Sequence, residues 1–180
     1  MTRTGLRVVA GELGGRRLEV PPAVTRPTAD RVREALFSIL GDVSELRVLD
    51  LFAGSGALGI EALSRGAREA VFVDNSSVAV STLGDNLRAL GLEGQVHHHD
   101  ALSWLAGAGA REAFALVFCD PPYDLAESLA GQLAKALPPL LTEDGRIVTE
   151  SDKRSPLELP FGLVRERTYG DTRIAVHRGG

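Results

Sequence analysis

Asp120, Pro121, Pro122 and Tyr123 form a tetrapeptide with the parts needed to orient a planar amine. An amino group on an aromatic base is a poor nucleophile, because its lone pair is delocalised into the ring. To attack a methyl carbon in line, it must be held with that lone pair aimed outward. The Asp120 carboxylate and the Pro121 carbonyl can accept its two N–H hydrogens and favour that geometry. The two pyrrolidine rings fix φ and stiffen the loop, so the carbonyl stays aimed. Tyr123 offers a flat face to an unstacked base, worth about 1–3 kcal/mol per base. In a transfer with no covalent intermediate, such positioning is a main source of rate. The competing reading is a rigid turn with a tyrosine in solvent.

A second group of residues suits a nucleoside ligand. Gly54, Gly56 and Gly59 spell G-x-G-x-x-G between a strand-like run and a helix-like run, which is the context that motif requires. Glycine there allows a tight turn and a close approach of backbone to ligand. Asp74 ends the next strand, where a carboxylate can accept hydrogen bonds from ribose hydroxyls. Asp50 lies just before the glycines; it would repel a pyrophosphate but suits a ligand carrying an ammonium and a sulfonium. Asp100 follows a third strand and can accept an adenine amino group, or cap a helix starting at Ala101. All three acids fall at the carboxyl ends of consecutive strands, the edge where open α/β sheets bind ligands.

The elements that must position these residues follow from hydrophobic period. Strand-like runs occupy 47–52, 70–74, 94–98, 114–119 and 145–150, with helix-like stretches between them. One such stretch carries Val80, Leu83, Leu87 and Leu90 on a stripe, and a later one Leu125, Leu129, Leu133 and Leu137. That alternation predicts a mainly parallel sheet covered on both faces. Residues 162–169 and 172–178, split by Gly170–Asp171, predict a closing antiparallel hairpin. At the other end, residues 6–20 read as two short β runs around a Gly-rich turn. Thr28 is the expected N-cap of a helix through about Leu40, closed by Gly41.

Composition bounds the partners. The chain has 180 residues, 44% of them hydrophobic, which suits one compact domain. A net charge of -4 argues against a protein that coats nucleic acid on all sides. Residues 1–33, however, hold seven Arg against three acids, a net of +4 that makes a plausible local grip on phosphate. An ordinary solvated Arg-rich face is the equal alternative. No apolar run approaches the ~20 residues of a membrane span, and no secretory core is visible, so a cytoplasmic protein is expected. Cys119 is the one cysteine and reads as a small buried strand residue. His97, His98 and His99 are consecutive, so in a strand they cannot converge on one ion, and no metal is expected.

The segments VLDLFAGSG at 48–56, VFVD at 71–74, HHDA at 98–101 and DPPY at 120–123 resemble the amino-directed class of Rossmann-like methyltransferases. RVVAGELGGRRLEVP and RPTADRVREALFSIL extend the resemblance, over essentially the whole chain, to the bacterial 16S ribosomal RNA guanine-N2 methyltransferases called RsmD. The resemblance implies an α/β fold with a seven-stranded sheet whose last strand is antiparallel. It implies S-adenosyl-L-methionine as donor and a guanine of 16S ribosomal RNA, in a small subunit or its assembly intermediate, as acceptor. Asp50 and the Gly54–Gly56 loop would surround the methionine part, Asp74 the ribose, and Asp100 with Ala101 the adenine. Phe52, Ala53, Ser55 and Asn75 complete the implied cofactor set, and Asp120, Pro121, Pro122 and Tyr123 would hold the guanine. Arg26, Thr28 and Arg31 fall in a stretch bordering cofactor and RNA. Residues 1–41 would then be an RNA-contacting extension, through Arg7, Arg16, Arg17, Arg26 and Arg31, on a monomeric transferase domain at 42–180. A guanine N2 amine lies in the minor groove of a duplex, so the target nucleotide must be splayed out.

Three rival readings remain at this level. A nicotinamide-dependent oxidoreductase would use the glycines but leave Asp120–Tyr123 idle and Asp50 badly placed. A non-catalytic, cofactor-binding ribosome-assembly factor would not need Asp120 and Tyr123. A DNA adenine-N6 methyltransferase shares the chemistry but normally carries an added target-recognition region.

Overall fold

Apolar runs of strand length alternating with amphipathic stretches produce the order that the sequence predicts. The computed structural model describes residues 5–22, 28–107 and 113–179. Helix α1 (Asp30–Leu40) precedes β1 (Arg47–Leu51), α2 (Ala57–Ser64), β2 (Glu69–Asp74) and α3 (Ser77–Leu90). Then come β3 (Gln95–His98), α4 (Ala101–Gly107), β4 (Phe114–Cys119), α5 (Ala126–Ala136) and β5 (Leu141–Asp152), followed by β6 (Gly162–Tyr169) and β7 (Thr172–Arg178). They form one seven-stranded sheet in the order β3-β2-β1-β4-β5-β7-β6. β1 to β5 pair in parallel, and β7 is antiparallel to both β5 and β6. This is the expected α/β, Rossmann-like sheet with an antiparallel last strand.

β5 is longer than its predicted core of 145–150. Its first residues, LTEDG, carry no apolar period, yet Leu141 pairs with Phe114 across an irregularity in the ladder. Pairing to a neighbour that is already ordered extends a strand past the residues whose side chains call for it. The Gly170–Asp171 turn between β6 and β7 forms as expected, with Gly170 at φ 61°.

Alternate residues of each strand face opposite layers. Leu49, Leu51, Val71, Val73, Val117 and Ile147 pack against α4 and α5 through Leu105 and Leu133, and against Leu137 just past α5. Val48, Leu116, Phe118, Val148 and Val176 pack on the other side against Leu36, Phe37 and Leu40 of α1. α2 and α3 cover the rest of that second face through Ile60, Leu83 and Leu87 against Ala70 and Phe72. Cys119 is buried in β4, and burial pushes its thiol up. Among the described residues no helix is long and apolar enough to cross a membrane.

The N-terminal hairpin forms, but its ladder is reduced to one bridge, Arg7 to Arg17, flanked by Val8 N–H to Arg16 O and Leu18 N–H to Leu6 O. The reason is that side chains of the helices take the other backbone groups. Glu61 of α2 accepts from Val9 N at 2.7 Å and Ala10 N at 3.0 Å, and Asn86 of α3 bonds both the N–H and the carbonyl of Glu19. Leu6, Val8 and Leu18 are buried in the cluster that includes Ile60 and Leu83. Each contributes roughly 1.5–3 kcal/mol by leaving water, enough to seat a segment with little ladder of its own.

The expected cap on α1 is not there. The helix starts at Asp30 behind Ala29 with no side-chain cap, and the Thr28 hydroxyl donates instead to Glu150 Oε2 at 2.5 Å. A buried carboxylate is the stronger partner for that hydroxyl, and it draws Thr28 away from the helix end. Behind that end, the fully buried Arg33 donates to the Arg7 carbonyl and to Asp30, and stands 3.8 Å from the fully buried Glu61.

Glu61 therefore ties the N-terminal segment to the sheet's helical cover. Glu61→Ala is expected to lower unfolding free energy by roughly 3–5 kcal/mol, because it leaves two amides without their acceptor and removes a buried carboxylate from beside the buried Arg33. It should also speed hydrogen exchange at Val9 and Ala10. Urea titration and exchange measurements on those amides check both; a change below about 1 kcal/mol, the scale of a single ordinary hydrogen bond, would mean that the network is dispensable.

Candidate functional site

β1 lies between β2 and β4, and the chain leaves it in one direction for β2 and β3 and in the other for β4 and β5. Such a switch in strand order leaves a crevice at the carboxyl edge. Here it opens into a cleft of about 910 Å³, in the size range of sites that enclose most of a small ligand.

The loop from β1 to α2 forms one wall. Phe52 sits at φ 59° and Gly54 at φ 57°. A left-handed Phe costs on the order of 1–2 kcal/mol, and such strain concentrates at functional loops. The glycines of the motif divide the work. A Cβ at Gly54 would meet nothing within 4 Å, so this residue serves the open cleft. A Cβ at Gly59 would come 2.3 Å from Phe72 Cε1, so that glycine serves helix–sheet packing. Gly54 N–H donates to Asp74 Oδ2 at 2.9 Å and Ser76 N–H to Asp74 Oδ1 at 2.8 Å, which ties the loop to the end of β2.

Asp50, Phe52, Ala53, Gly54, Ser55, Asp74, Asn75, Asp100 and Ala101 all line the cleft, and Asp120, Pro121, Pro122 and Tyr123 line it as well. Of the candidates read from the motifs, Gly56 does not. It stands at the start of α2, packed toward Leu83. Asp100 is a helix cap, its Oδ1 accepting from Ser103 N at 2.9 Å at the start of α4, and the residue also borders the cleft. That capping holds its carboxyl below the usual range.

Asp50 is buried, and its Oδ2 accepts from Gly59 N at 2.9 Å. Burial pushes its pKa up to about 8 against the pull of that hydrogen bond, and the nearby Asp74 charge adds to the rise. Asp120 is raised well above the ordinary carboxylate value, first by burial, then by Glu150 and Asp50. The register explains the grouping. Asp50 pairs with Phe118, and Phe118 with Val148, on one face. Glu150, two residues further along β5, continues that face at the edge, and Asp120 follows one residue past the end of β4. Pro121 is buried, and Pro122, at φ -51° and ψ 136°, leads into a short 3-10 turn at Tyr123–Leu125. Tyr123 keeps 37% of its surface, so its ring is open to a partner.

Glu150 and Asp152 also line the cleft, and no motif points to either. A signal exists, since Glu150 ends the predicted run 145–150 at the ligand edge. It is hidden because β5 carries no glycine or proline motif there.

Among the described residues, every charged side chain lining the cleft is acidic. A pyrophosphate would be repelled there, whereas a ligand bearing an ammonium and a sulfonium would relieve the crowding. Carboxylates at Asp50, Asp74 and Asp100 thus offer the acceptors and negative charge that a ligand of S-adenosylmethionine's chemistry requires. The arginines lie elsewhere. Arg7, Arg16, Arg17 and Arg31 are exposed and none borders the cleft, while Arg26 lies outside the described residues. The three histidine rings go to separate neighbours: His97 to Trp104 with 5.5 Å between centroids, His98 to the Asn75 carbonyl, His99 to the Asp100 carbonyl.

The family described as conserved hypothetical protein 95 matches residues 6–178. A Bacillus subtilis (strain 168) protein named "Putative rRNA methyltransferase YlbH" is 42% identical, covering 96% of this chain and 98% of that one. A Haemophilus influenzae protein named "Ribosomal RNA small subunit methyltransferase D" is 34% identical, covering 92% and 89%. A solved structure titled "Putative methyltransferase yhhF from Escherichia coli" superposes with a TM-score of 0.82 at 34% identity, over 97% of each chain.

The raised Asp50 carboxyl sets a pH dependence. Its proton is held more tightly folded than unfolded, so its contribution to stability is full below the unfolded value of 3.8 and is lost as pH rises through about 8. The ligand-free protein should melt at progressively lower temperature between those limits, and Asp50→Asn should flatten that slope. Melting curves across the range check it; a slope unaltered by the substitution would show that Asp50 ionises without cost.

Proposed function

This chain belongs to the conserved hypothetical protein 95 family, the family of the RsmD methyltransferases, and on that premise we propose that it methylates the exocyclic N2 amine of a guanine in 16S ribosomal RNA with S-adenosylmethionine as donor. The observation that carries this reading is that the Asp120–Tyr123 loop and the Gly54 loop open on one continuous cleft. Donor and acceptor can therefore meet without a large movement of the sheet.

Bound S-adenosylmethionine supplies a methyl group made electrophilic by the positive sulfur. Asp50, which shares the cleft with no basic side chain among the described residues, would ionise to pair with the ligand's ammonium. Asp74 keeps lone pairs beyond those facing the Gly54 and Ser76 amides, and these accept ribose hydroxyls. Asp100 turns its second oxygen to the adenine amine. Asp120 and the Pro121 carbonyl hold the two hydrogens of the guanine N2, and Tyr123 stacks on the base. As the nitrogen lone pair forms the new N–C bond, the methyl carbon's bond to sulfur would break with its electron pair kept by the departing S-adenosylhomocysteine, and the positive charge would pass to the nitrogen. Asp120, whose affinity for a proton is raised by burial and by Glu150, takes the hydrogen that leaves. A cation beside Asp50 removes one of the charges that oppose ionising Asp120 beforehand.

The acidic cleft disfavours the nicotinamide alternative, whose pyrophosphate would face Asp50 and Asp74. The exposed arginines of the N-terminal hairpin give RNA phosphate a grip away from the cleft, on a segment that the helices hold in place. Residues 1–41 then serve as the RNA-contacting extension and 42–180 as the transferase body, acting as a monomer in the cytoplasm on the small subunit or its assembly intermediate.

Asp120→Ala should abolish methyl transfer while S-adenosylhomocysteine binding stays within a few-fold of normal, as tritiated-methyl assays and calorimetry would read; weakened binding with intact turnover would contradict the role. Mass mapping of 16S RNA from cells lacking the protein should find one guanine without its N2-methyl group. Arg16→Glu with Arg17→Glu should weaken RNA binding and reduce the slope of log affinity against log salt by about 1–2, roughly one for each phosphate no longer neutralised. An unchanged slope would remove the hairpin from the RNA interface.

A further inference from the structure

In the chemistry above Glu150 acts only through Asp120 and touches neither donor nor base, yet it borders the cleft with 5% of its surface exposed. It stands at the carboxyl edge of β5, beside the end of β4, which Asp120 follows. Among the described residues Thr28 is its one hydrogen-bond partner, and the hydroxyl takes Oε2, which leaves Oε1 for the cleft. An acceptor oxygen on the cleft wall next to a base-binding loop calls for a donor once a ligand shuts out water, because leaving such a group unmatched is then costly.

The edge of guanine supplies that donor. Once Asp120 and the Pro121 carbonyl hold the N2 hydrogens, the adjacent group on the ring is N1–H, a second donor. Adenine and 2-aminopurine present a bare lone pair at their N1 instead, which a carboxylate repels. We propose that Glu150, fixed by Thr28, accepts the guanine N1–H and is the residue by which this site selects guanine. The inference rests on the guanine-N2 reading and adds the group that recognises the base.

Three features of the surroundings agree. The Thr28 hydrogen bond fixes the carboxylate's orientation without using the oxygen assigned to the base. Arg33, buried behind the site, favours the ionised form of Glu150, although burial raises its proton affinity overall. Thr28 lies two residues before α1, so the same hydrogen bond ties the approach to that helix to the base pocket. This also gives Thr28 a use that capping α1 would have prevented.

The test uses two 16S RNA substrates differing at the methylated nucleotide alone, guanosine in one and 2-aminopurine riboside in the other. Both carry the N2 amine; the second lacks N1–H. The intact protein should prefer guanosine in kcat/KM by at least about a thousandfold, since sites built on a hydrogen bond reject analogues lacking it by such factors. In Glu150→Gln the amide can turn an N–H toward the bare N1, and the preference should fall by at least about a hundredfold. Thr28→Val, which leaves the carboxylate present but untethered, should give an intermediate ratio. Because each ratio is measured within one protein, partial misfolding cancels, and S-adenosylhomocysteine binding reports the folded fraction.

A guanosine preference that survives both substitutions overturns the inference while leaving guanine-N2 methylation intact. Loss of turnover on both RNAs in both variants, with S-adenosylhomocysteine still bound, also overturns it, since the pair would then serve transfer itself rather than selection. Absence of N2-methylguanine with the unaltered protein defeats the functional reading and this inference together.

Discussion

The structure is organised around negative charge gathered where water is scarce. Asp50 and Glu150 on β1 and β5, and Asp120 just past the end of the β4 strand between them, stand at the edge where the sheet opens. Burial raises the proton affinity of all three, and the charges of Glu150 and Asp50 raise that of Asp120 further. Such a group is unfavourable by itself, and nothing in the packing requires it. It becomes favourable once a cation and a set of N–H donors arrive, which makes the cost a feature of binding rather than of folding.

The parallel sheet is what permits the concentration. In parallel strands every carboxyl end falls on one edge, so residues far apart in sequence arrive side by side with their faces in register. The crossover helices bury the rest of each strand on both faces. Polar residues are thereby driven to the strand ends, where backbone amides at the starts of helices and loops can meet them. Gly54, Gly59, Ser76 and Ser103 each give an amide to one of the strand-end acids. A ligand drawn to these acids meets a site whose loops are already tied down.

The N-terminal hairpin illustrates a different solution. It has too few ladder bonds to stand alone, and side chains of α2 and α3 complete its backbone pairing. Arg33, one of the seven arginines that make the segment basic, faces inward and braces this attachment through Arg7, Asp30 and Glu61. The positive charge left outside is therefore carried on a held frame rather than on a loose arm.

The sequence alone determined the elements and most of the cleft. Apolar period marked the strands and helices, because burial on two faces leaves no freedom in which residues are apolar. The acids at strand ends and the Asp120–Tyr123 loop were legible because parallel topology converts "end of a strand" into "edge of the site". What the tertiary structure decided were matters of partnership between distant residues. That Thr28 bonds Glu150 rather than capping α1 depends on a partner 122 positions away. That Gly59 serves Phe72 while Gly54 serves the cleft depends on which neighbour lies behind each. Glu150 itself carried no local motif, and its place beside Asp120 arises from strand pairing, a long-range ordering that no window of residues contains.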